Sequence, residues 1–147
     1  VLALPIFWEA KTIINPSLLE KYKEYKFTKM NTKNFLVSTA KILELNKKGL
    51  ELGFEIGSLL YSLMLRIRGL LMIKLMINDK LYSKQELFYY LGKNNMPKNE
   101  IWESYKIYSS ERNNTQVKES RIMTKEGIGK LIAIAGNLLK EVKGILK

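Results

Sequence analysis

The chain contains no cysteine and no histidine, and these two absences remove most familiar active sites. Without cysteine there is no disulfide, no thiolate metal site and no cysteine nucleophile. Without histidine the chain lacks the commonest general base and the commonest metal ligand. A Ser–His–Asp triad, a histidine-based zinc site and a histidine-dependent ribonuclease are therefore impossible within this chain alone.

Acidic residues and glycines offer equally little chemistry. Asp79 is the only aspartate, so no pair of aspartates can hold a metal ion. No two glutamates lie in a segment that suggests a pocket, so the paired-carboxylate chemistry of glycosidases has no support. Gly127 and Gly129 lack the third glycine, the preceding strand and the Lys-Ser/Thr continuation of a phosphate-binding loop. The sequence therefore argues against independent catalysis and predicts no cofactor.

The residues that are present favour one all-α domain. The chain has 147 residues, of which 46% are hydrophobic and 27% charged, as in a globular domain with a sizeable core. Only three prolines occur, and Leu, Ile, Lys and Glu dominate, which favours helices over strands. We predict an up-and-down bundle of about five or six helices, preceded by a short extended segment at the N-terminus.

Capping residues and N-terminal prolines predict where the helices begin. In chain order these signals are Asn15-Pro16, Asn31 or Thr32, Ser83 of a Ser-x-x-Glu capping box, Pro97, and Thr124. The corresponding helices are expected to end near Lys26, Lys48, Leu91, Asn113 and the C-terminus.

The most apolar segment, residues 54–77, is expected to be the central helix of the bundle. A membrane-spanning helix needs about 20 nearly charge-free residues. Here the longest uncharged run is the ten residues from Ile56 to Leu65, and three cationic residues follow it before residue 77. We therefore predict no membrane association. Because cysteine is absent and the apolar start lacks the features of a signal peptide, we also expect a cytoplasmic location.

The net charge is +11, from 25 Lys and Arg against 14 Asp and Glu. Residues 21–48 carry eight lysines against two glutamates, residues 104–147 carry nine basic against four acidic side chains, and the charges between them nearly balance. Such an excess attracts polyanions and can steer nucleic acid toward the surface. Two interpretations stay open, a lysine-rich solubilising surface and a face that binds nucleic acid.

Arg66 and Arg68 lie two positions apart in the central helix, so they cannot share one face of it. At least one of them must be partly buried or must point into a groove between helices. A partly buried guanidinium needs an anionic partner, either a carboxylate of the protein or a phosphate of a ligand. The carboxylates considered for this role are Glu55, Glu86 and Glu111.

Arg112 and Asn113 form a second polar cluster, just after an aromatic helix face. This cluster is either a plain helix terminus or a further contact to phosphate. Five aromatic residues could stack on nucleic-acid bases, although residues at helical spacing more often belong to the core. They are Tyr89, Tyr90, Trp102, Tyr105 and Tyr108.

Four short segments carry a resemblance to a known family: Leu4–Ala10, Tyr61–Arg68, Lys80–Lys84 and Tyr108–Asn113. In them the chain resembles the helical C-terminal part of archaeal predicted nucleotidyltransferases. More broadly it is similar to the HEPN and kanamycin-nucleotidyltransferase-type bundles that accompany minimal nucleotidyltransferases. The resemblance implies that residues 1–10 end a preceding nucleotidyltransferase domain, within an N-terminal segment 1–29, and that residues 30–147 form the bundle.

The chain departs from this family at the residues that do chemistry. The nucleotidyltransferase pattern of a Gly-Ser loop followed by paired, magnesium-binding aspartates is missing. HEPN ribonucleases place Arg, a polar residue and then His. Arg112-Asn113 matches the first part, but Val117 and Lys118 stand where the histidine should be.

The resemblance therefore implies a non-catalytic accessory domain that partners a fused or separate nucleotidyltransferase. It helps to form the nucleotide or substrate site, with Arg66, Arg68, Arg112 and Asn113 as candidate phosphate or nucleotide contacts. A homodimer through the long apolar helix is also expected. The alternative is a stand-alone basic helical module that binds RNA or DNA, and a purely structural dimer without a ligand is a third possibility.

Overall fold

The computed structural model describes residues 27–113 and 123–146, and this part of the chain forms five helices and no strand. The helices are α1 (Lys29–Glu51), α2 (Ile56–Ile77), α3 (Lys84–Lys93), α4 (Lys98–Arg112) and α5 (Lys125–Ile145). The predicted all-α bundle is confirmed. The extended N-terminal segment and the helix expected over residues 17–26 lie outside the described residues.

The start of α1 differs from the sequence-based expectation. Its N-cap is Thr28, whose hydroxyl accepts the backbone N–H of Asn31 at 3.3 Å. The side-chain oxygen of Asn31 accepts the backbone N–H of Thr28 at 2.8 Å, which completes a reciprocal capping box. The expectation that Asn31 or Thr32 caps this helix is therefore wrong, because Asn31 is the inner partner of the box and Thr32 lies within the helix.

The predicted starts of α3, α4 and α5 are confirmed. The Ser83 hydroxyl accepts the backbone N–H of Glu86 at 3.1 Å, and the Thr124 hydroxyl accepts that of Gly127 at 3.2 Å. Pro97 directly precedes α4. The expected end of α3 near Leu91 differs slightly from the structure. Gly92 continues the helix, which ends at Lys93.

A four-residue connection reverses the chain between α1 and α2. Gly53 has φ +77°, in the left-handed region that glycine adopts without steric cost. The N–H of Phe54 donates to the carbonyl of Gly49 at 2.8 Å, and that of Gly53 donates to the carbonyl of Leu50 at 3.3 Å. These two bonds form a Schellman motif, which satisfies the last carbonyls of α1 and ends the helix.

The reversal lays α2 antiparallel along α1. Near the connection, Asn46 of α1 donates to the hydroxyl of Ser62 at 3.0 Å. Farther from it, Phe35 of α1 lies against Gly69 of α2, where an added Cβ would stand 2.5 Å from the Phe35 Cζ. The first half of α1 therefore packs against the second half of α2, as in an antiparallel pair.

α2 is the central helix, as predicted. Twelve of its 22 residues are buried, and the helix packs against α1, α4 and α5. It is the one helix among the described residues that is long and apolar enough to cross a membrane, and a buried core helix passes the same test. No exposed large apolar side chain of the described residues lies on α2. The homodimer through this helix stays a prediction, and so does the cytoplasmic location.

α5 closes the bundle by packing on both α1 and α2. Near its C-terminal end, Glu141 forms an ion pair of 2.5 Å with Lys74 of α2. Lys143 and Leu146 lie beside the first turns of α1. The end of α5 and the start of α1 therefore meet, although they are far apart in the sequence.

Candidate anion-binding pocket

Arg66 is half-buried and faces α1. Its Nη1 lies 3.4 Å from the Ser38 hydroxyl, to which it donates, and its guanidinium carbon lies 5.7 Å from the centre of the Phe35 ring. The ion pairs among the described residues involve only lysines. The guanidinium of Arg66 therefore holds α1 and α2 together through a hydroxyl and an aromatic face.

Arg68 points to another side of α2. Its Nη1 donates to the Tyr108 hydroxyl of α4 at 2.9 Å, and its guanidinium carbon lies 5.4 Å from the centre of the Tyr82 ring. Burial acts to lower the pKa of Arg68, but the hydrogen bond to Tyr108 and the electrostatic interactions with both tyrosines outweigh burial. The pKa of Arg68 is therefore raised above its ordinary value. Burial also raises the pKa of Tyr82 to about 12, against the opposing effect of the Arg68 charge. Arg68 thus remains cationic and joins α2 to α4.

Arg112 and Asn113 end α4. Arg112 is exposed in the last turn, and the backbone N–H of Asn113 caps the helix by donating to the carbonyls of Ser109 and Ser110 at 3.1 and 3.0 Å. The contacts that the structure gives Arg66, Arg68 and Asn113 do not join any two of the four predicted site residues. Their role in binding phosphate stays a prediction.

Of the two partners predicted for the central arginines, the protein carboxylate is wrong. Among the described residues, neither Arg66 nor Arg68 pairs with Glu55, Glu86 or Glu111. Neutral hydroxyls and aromatic faces take the place of the expected carboxylate, because both can accept a delocalised, weakly hydrated guanidinium.

A pocket that the sequence reading did not identify lies where α1 and α5 meet. It has a volume of about 340 Å³, which falls in the range of small-molecule sites. Its cationic lining residues are Lys29 and Lys33 of α1 and Lys143 of α5. Its apolar lining residues are Leu36, Val37 and Leu146, of which Leu36 and Leu146 are buried.

The electrostatics of this pocket favour an anion. None of its three lysines forms an ion pair with a described carboxylate. Lys29 is the first residue of α1, so the positive end of the helix dipole adds to the lysine charges. Lys143 is in the last turn of α5, where it also offsets the negative end of that helix. Three lysines that line a largely apolar pocket suit a ligand with an anionic end and an apolar or aromatic end.

The pocket could not be found from the sequence because its two sides lie in different basic segments. Lys29 and Lys33 belong to the lysine-rich residues 21–48, and Lys143 belongs to residues 104–147. Both segments stood out by their charge, but only the packing of α5 on α1 brings them together.

The described residues contain no group of three or more His, Cys, Asp or Glu side chains that could hold a metal ion. The chain matches no family model, no curated protein and no solved structure. The resemblance to nucleotidyltransferase-associated bundles therefore rests on its four short segments.

Proposed function

We propose that the chain is a non-catalytic helical accessory domain of a nucleotidyltransferase system, and that it binds the phosphate groups of a nucleotide in the pocket between α1 and α5. The observation that carries this proposal is the convergence of Lys29, Lys33 and Lys143 around a largely apolar pocket. The partner enzyme supplies the catalytic groups that this chain lacks.

The chemistry of the pocket suits a nucleotide. Lysine ammonium groups are compact point charges that bind phosphate without requiring a fixed geometry. The apolar surface of Leu36, Val37 and Leu146 can cover the face of a base or a sugar. The pocket lysines are better placed for this role than Arg66 and Arg68, because both arginines are already engaged by side chains of neighbouring helices.

Titration with ATP, followed by isothermal calorimetry, tests the proposal. The double variant Lys33→Gln/Lys143→Gln removes two pocket charges, and we expect it to weaken ATP binding at least about ten-fold. The matched control is Lys47→Gln/Lys48→Gln, which removes two exposed charges at the other end of α1. We expect the control to bind ATP like the wild type. Equal weakening in both variants would show a general charge effect and would reject a nucleotide site.

One observation favours the second candidate function, the binding of RNA or DNA. Five exposed lysines of α1 fall within an arc of about 120° at the helical repeat of 100° per residue and extend over about 28 Å. They are Lys29, Lys33, Lys41, Lys47 and Lys48. Glu44 and Glu51 share the arc, which leaves an excess of three positive charges. A face of this length can contact several successive phosphates of a strand, whereas a nucleotide needs only one end of it.

The same two variants separate the candidates when a labelled 12-nucleotide single strand is titrated between 50 and 200 mM salt. If the whole α1 face binds the strand, each double variant reduces the slope of log K against log salt by up to about 1.4, because two phosphate contacts are lost. If only the pocket binds, Lys47→Gln/Lys48→Gln leaves the slope unchanged. A wild type whose affinity does not depend on salt would exclude nucleic-acid binding by this face.

A further inference from the structure

Three aromatic rings surround a lysine ammonium group on the side of the bundle formed by α3 and α4. The Nζ of Lys84 lies 4.3 Å from the ring centres of both Trp102 and Tyr105, and 5.2 Å from that of Phe88. All three distances are within the roughly 6 Å over which a cation is attracted by an aromatic face. We name Phe88, Trp102 and Tyr105 the aromatic cage.

The rings of the cage hold each other in place. Phe88 makes edge-to-face contacts with Trp102 and Tyr105, at centre distances of 5.4 Å and interplanar angles of 82° and 73°. Phe88 and Tyr105 are partly buried against the core. Trp102 is 49% exposed, so the cage opens to solvent on its side. The three walls are therefore preorganised and accessible.

Apart from the cage, the electrostatic surroundings of Lys84 are unfavourable for a cation. It is the first residue of α3, where the positive end of the helix dipole repels a cation. It forms no ion pair with a carboxylate of the described residues. Aromatic faces thus supply the attraction that a carboxylate normally supplies.

We propose that the aromatic cage is a binding site for alkylated ammonium groups, and that the Lys84 side chain occupies it in the unliganded chain. A site walled by rings and without a paired carboxylate discriminates by hydration. A primary ammonium loses strong hydrogen bonds to water when it enters, whereas a methylated ammonium is weakly hydrated and gains contact with three apolar walls. The ligand class is therefore an alkylated ammonium, as carried by a methylated lysine or by choline.

Lys84 competes with such a ligand from within the same chain. It is exposed and held only by contacts to rings, so an incoming ligand can displace it. Each cation–π contact at an exposed site is weak. We therefore expect removal of the Lys84 ammonium to strengthen binding about five-fold, rather than to create a site from nothing. The cage lies on α3 and α4, away from the α1/α5 pocket, and does not depend on the function proposed for it.

Fluorescence of Trp102 during titration with tetramethylammonium chloride tests the site, with sodium chloride as the ionic-strength control. Trp8→Phe removes the only other tryptophan and serves as the background. In that background, Lys84→Ala is expected to give a saturable change with a dissociation constant on the order of millimolar, and the parent chain the same change about five-fold more weakly.

A third variant, Lys84→Ala/Tyr105→Leu, removes one wall but keeps apolar bulk, and circular dichroism confirms that it folds. We expect it to lose the saturable change. A folded Lys84→Ala chain without saturation, or a Tyr105→Leu variant that binds as well as its parent, would overturn the proposal.

Nε-trimethyl-lysine and choline then distinguish the two sources of the ligand. Saturation by either supports the cage, and the tighter of the two identifies its source. Unmodified lysine binding as tightly as trimethyl-lysine would contradict the proposed selectivity.

Discussion

Two buried threonines of α1 differ in a single hydrogen bond. Thr32 and Thr39 are both fully buried, seven residues apart on the same side of the helix. The Thr32 hydroxyl donates to the Thr28 carbonyl at 2.6 Å. The Thr39 hydroxyl has no hydrogen-bond partner among the described residues. A buried polar group without a partner lowers stability, because it has lost its hydrogen bonds to water.

Replacing each threonine by valine exchanges the hydroxyl for a methyl group of the same shape. We expect Thr39→Val to raise the free energy of unfolding by about 1 kcal/mol, and Thr32→Val to lower it by about 1 kcal/mol. The two residues have similar helix propensities, so that contribution cancels. Urea denaturation followed at 222 nm measures both values. Equal destabilisation by the two changes would mean that Thr39 has a partner in solution.

Arg66 and Arg68 illustrate why the candidate site could be predicted only in part. The two-residue spacing of Arg66 and Arg68 correctly required them to face different neighbours, and the structure confirms this. Their partners could not be predicted, because a hydroxyl and an aromatic face carry no opposite charge that would mark them in the sequence. The rings of Phe35 and Tyr82 come from segments whose distance from α2 is set by the fold.

At the scale of elements, the contact between α1 and α2 depends on one glycine. An added Cβ on Gly69 would lie 2.5 Å from Cζ and 3.1 Å from Cε2 of the Phe35 ring, and this ring is also covered by the Arg66 guanidinium. The two helices have little room to separate, since α1 is fixed to α2 by the short connection and by the bond between Asn46 and Ser62. Gly69 therefore permits the close packing of the two helices.

We expect Gly69→Ala to lower the free energy of unfolding by about 1–3 kcal/mol, because either the Phe35 ring or the helices must move. Gly136→Ala in α5 is the matched control, since an added Cβ there meets nothing within 4 Å. The control should stabilise by about 0.5–1 kcal/mol through helix propensity alone. Thermal unfolding by circular dichroism measures both. Gly69→Ala combined with Phe35→Leu should recover part of the loss, and stabilisation by Gly69→Ala alone would contradict the packing argument.

The starts of α3 and α5 could be predicted because a cap is a local interaction. Ser83 and Thr124 each bind a backbone N–H three residues ahead, so the signal lies within four consecutive residues. The start of α1 was misplaced because Thr28 and Asn31 both carry capping side chains. Which of them is the outer residue depends on the path by which the chain enters the helix, where Phe27 is buried in the core.

At the scale of the whole molecule, two tyrosines link stability to alkaline pH. Burial raises the pKa of Tyr82 to about 12. The pKa of Tyr90 is also raised to about 12, mainly by burial and to a smaller extent by the Glu141 charge. Both values exceed the ordinary tyrosine value of about 10. The folded state thus holds these protons more tightly than the unfolded state. Their contribution to stability is fully present below about pH 10 and is lost as the pH rises toward 12.

We therefore expect the melting temperature to fall between pH 10 and 11.5, and to fall about half as steeply in Tyr82→Phe/Tyr90→Phe. Lysine deprotonation is common to both proteins and cancels in the comparison. Calorimetry at several pH values measures the slopes, and absorbance at 295 nm reports tyrosine ionisation in the folded chain. Identical slopes would assign the alkaline loss to lysines instead.

The bundle itself was predictable because composition, helical periodicity and caps all indicate the same fold. The pocket was not, since it depends on how α5 packs on α1. Lys33 and Lys143 are more than one hundred positions apart in the chain. No pattern within one helix indicates that the start of α1 meets the end of α5.

That separation sets an order of events during synthesis. α1 leaves the ribosome first of the described helices, and α5 leaves it last. A nascent chain can already form the α1–α2 pair, whose contacts are close in sequence, but it has only one wall of the lysine pocket. On the proposed function, an anion meets a complete pocket only after translation has passed α5, so premature chains would neither sequester the nucleotide nor gain stability from it.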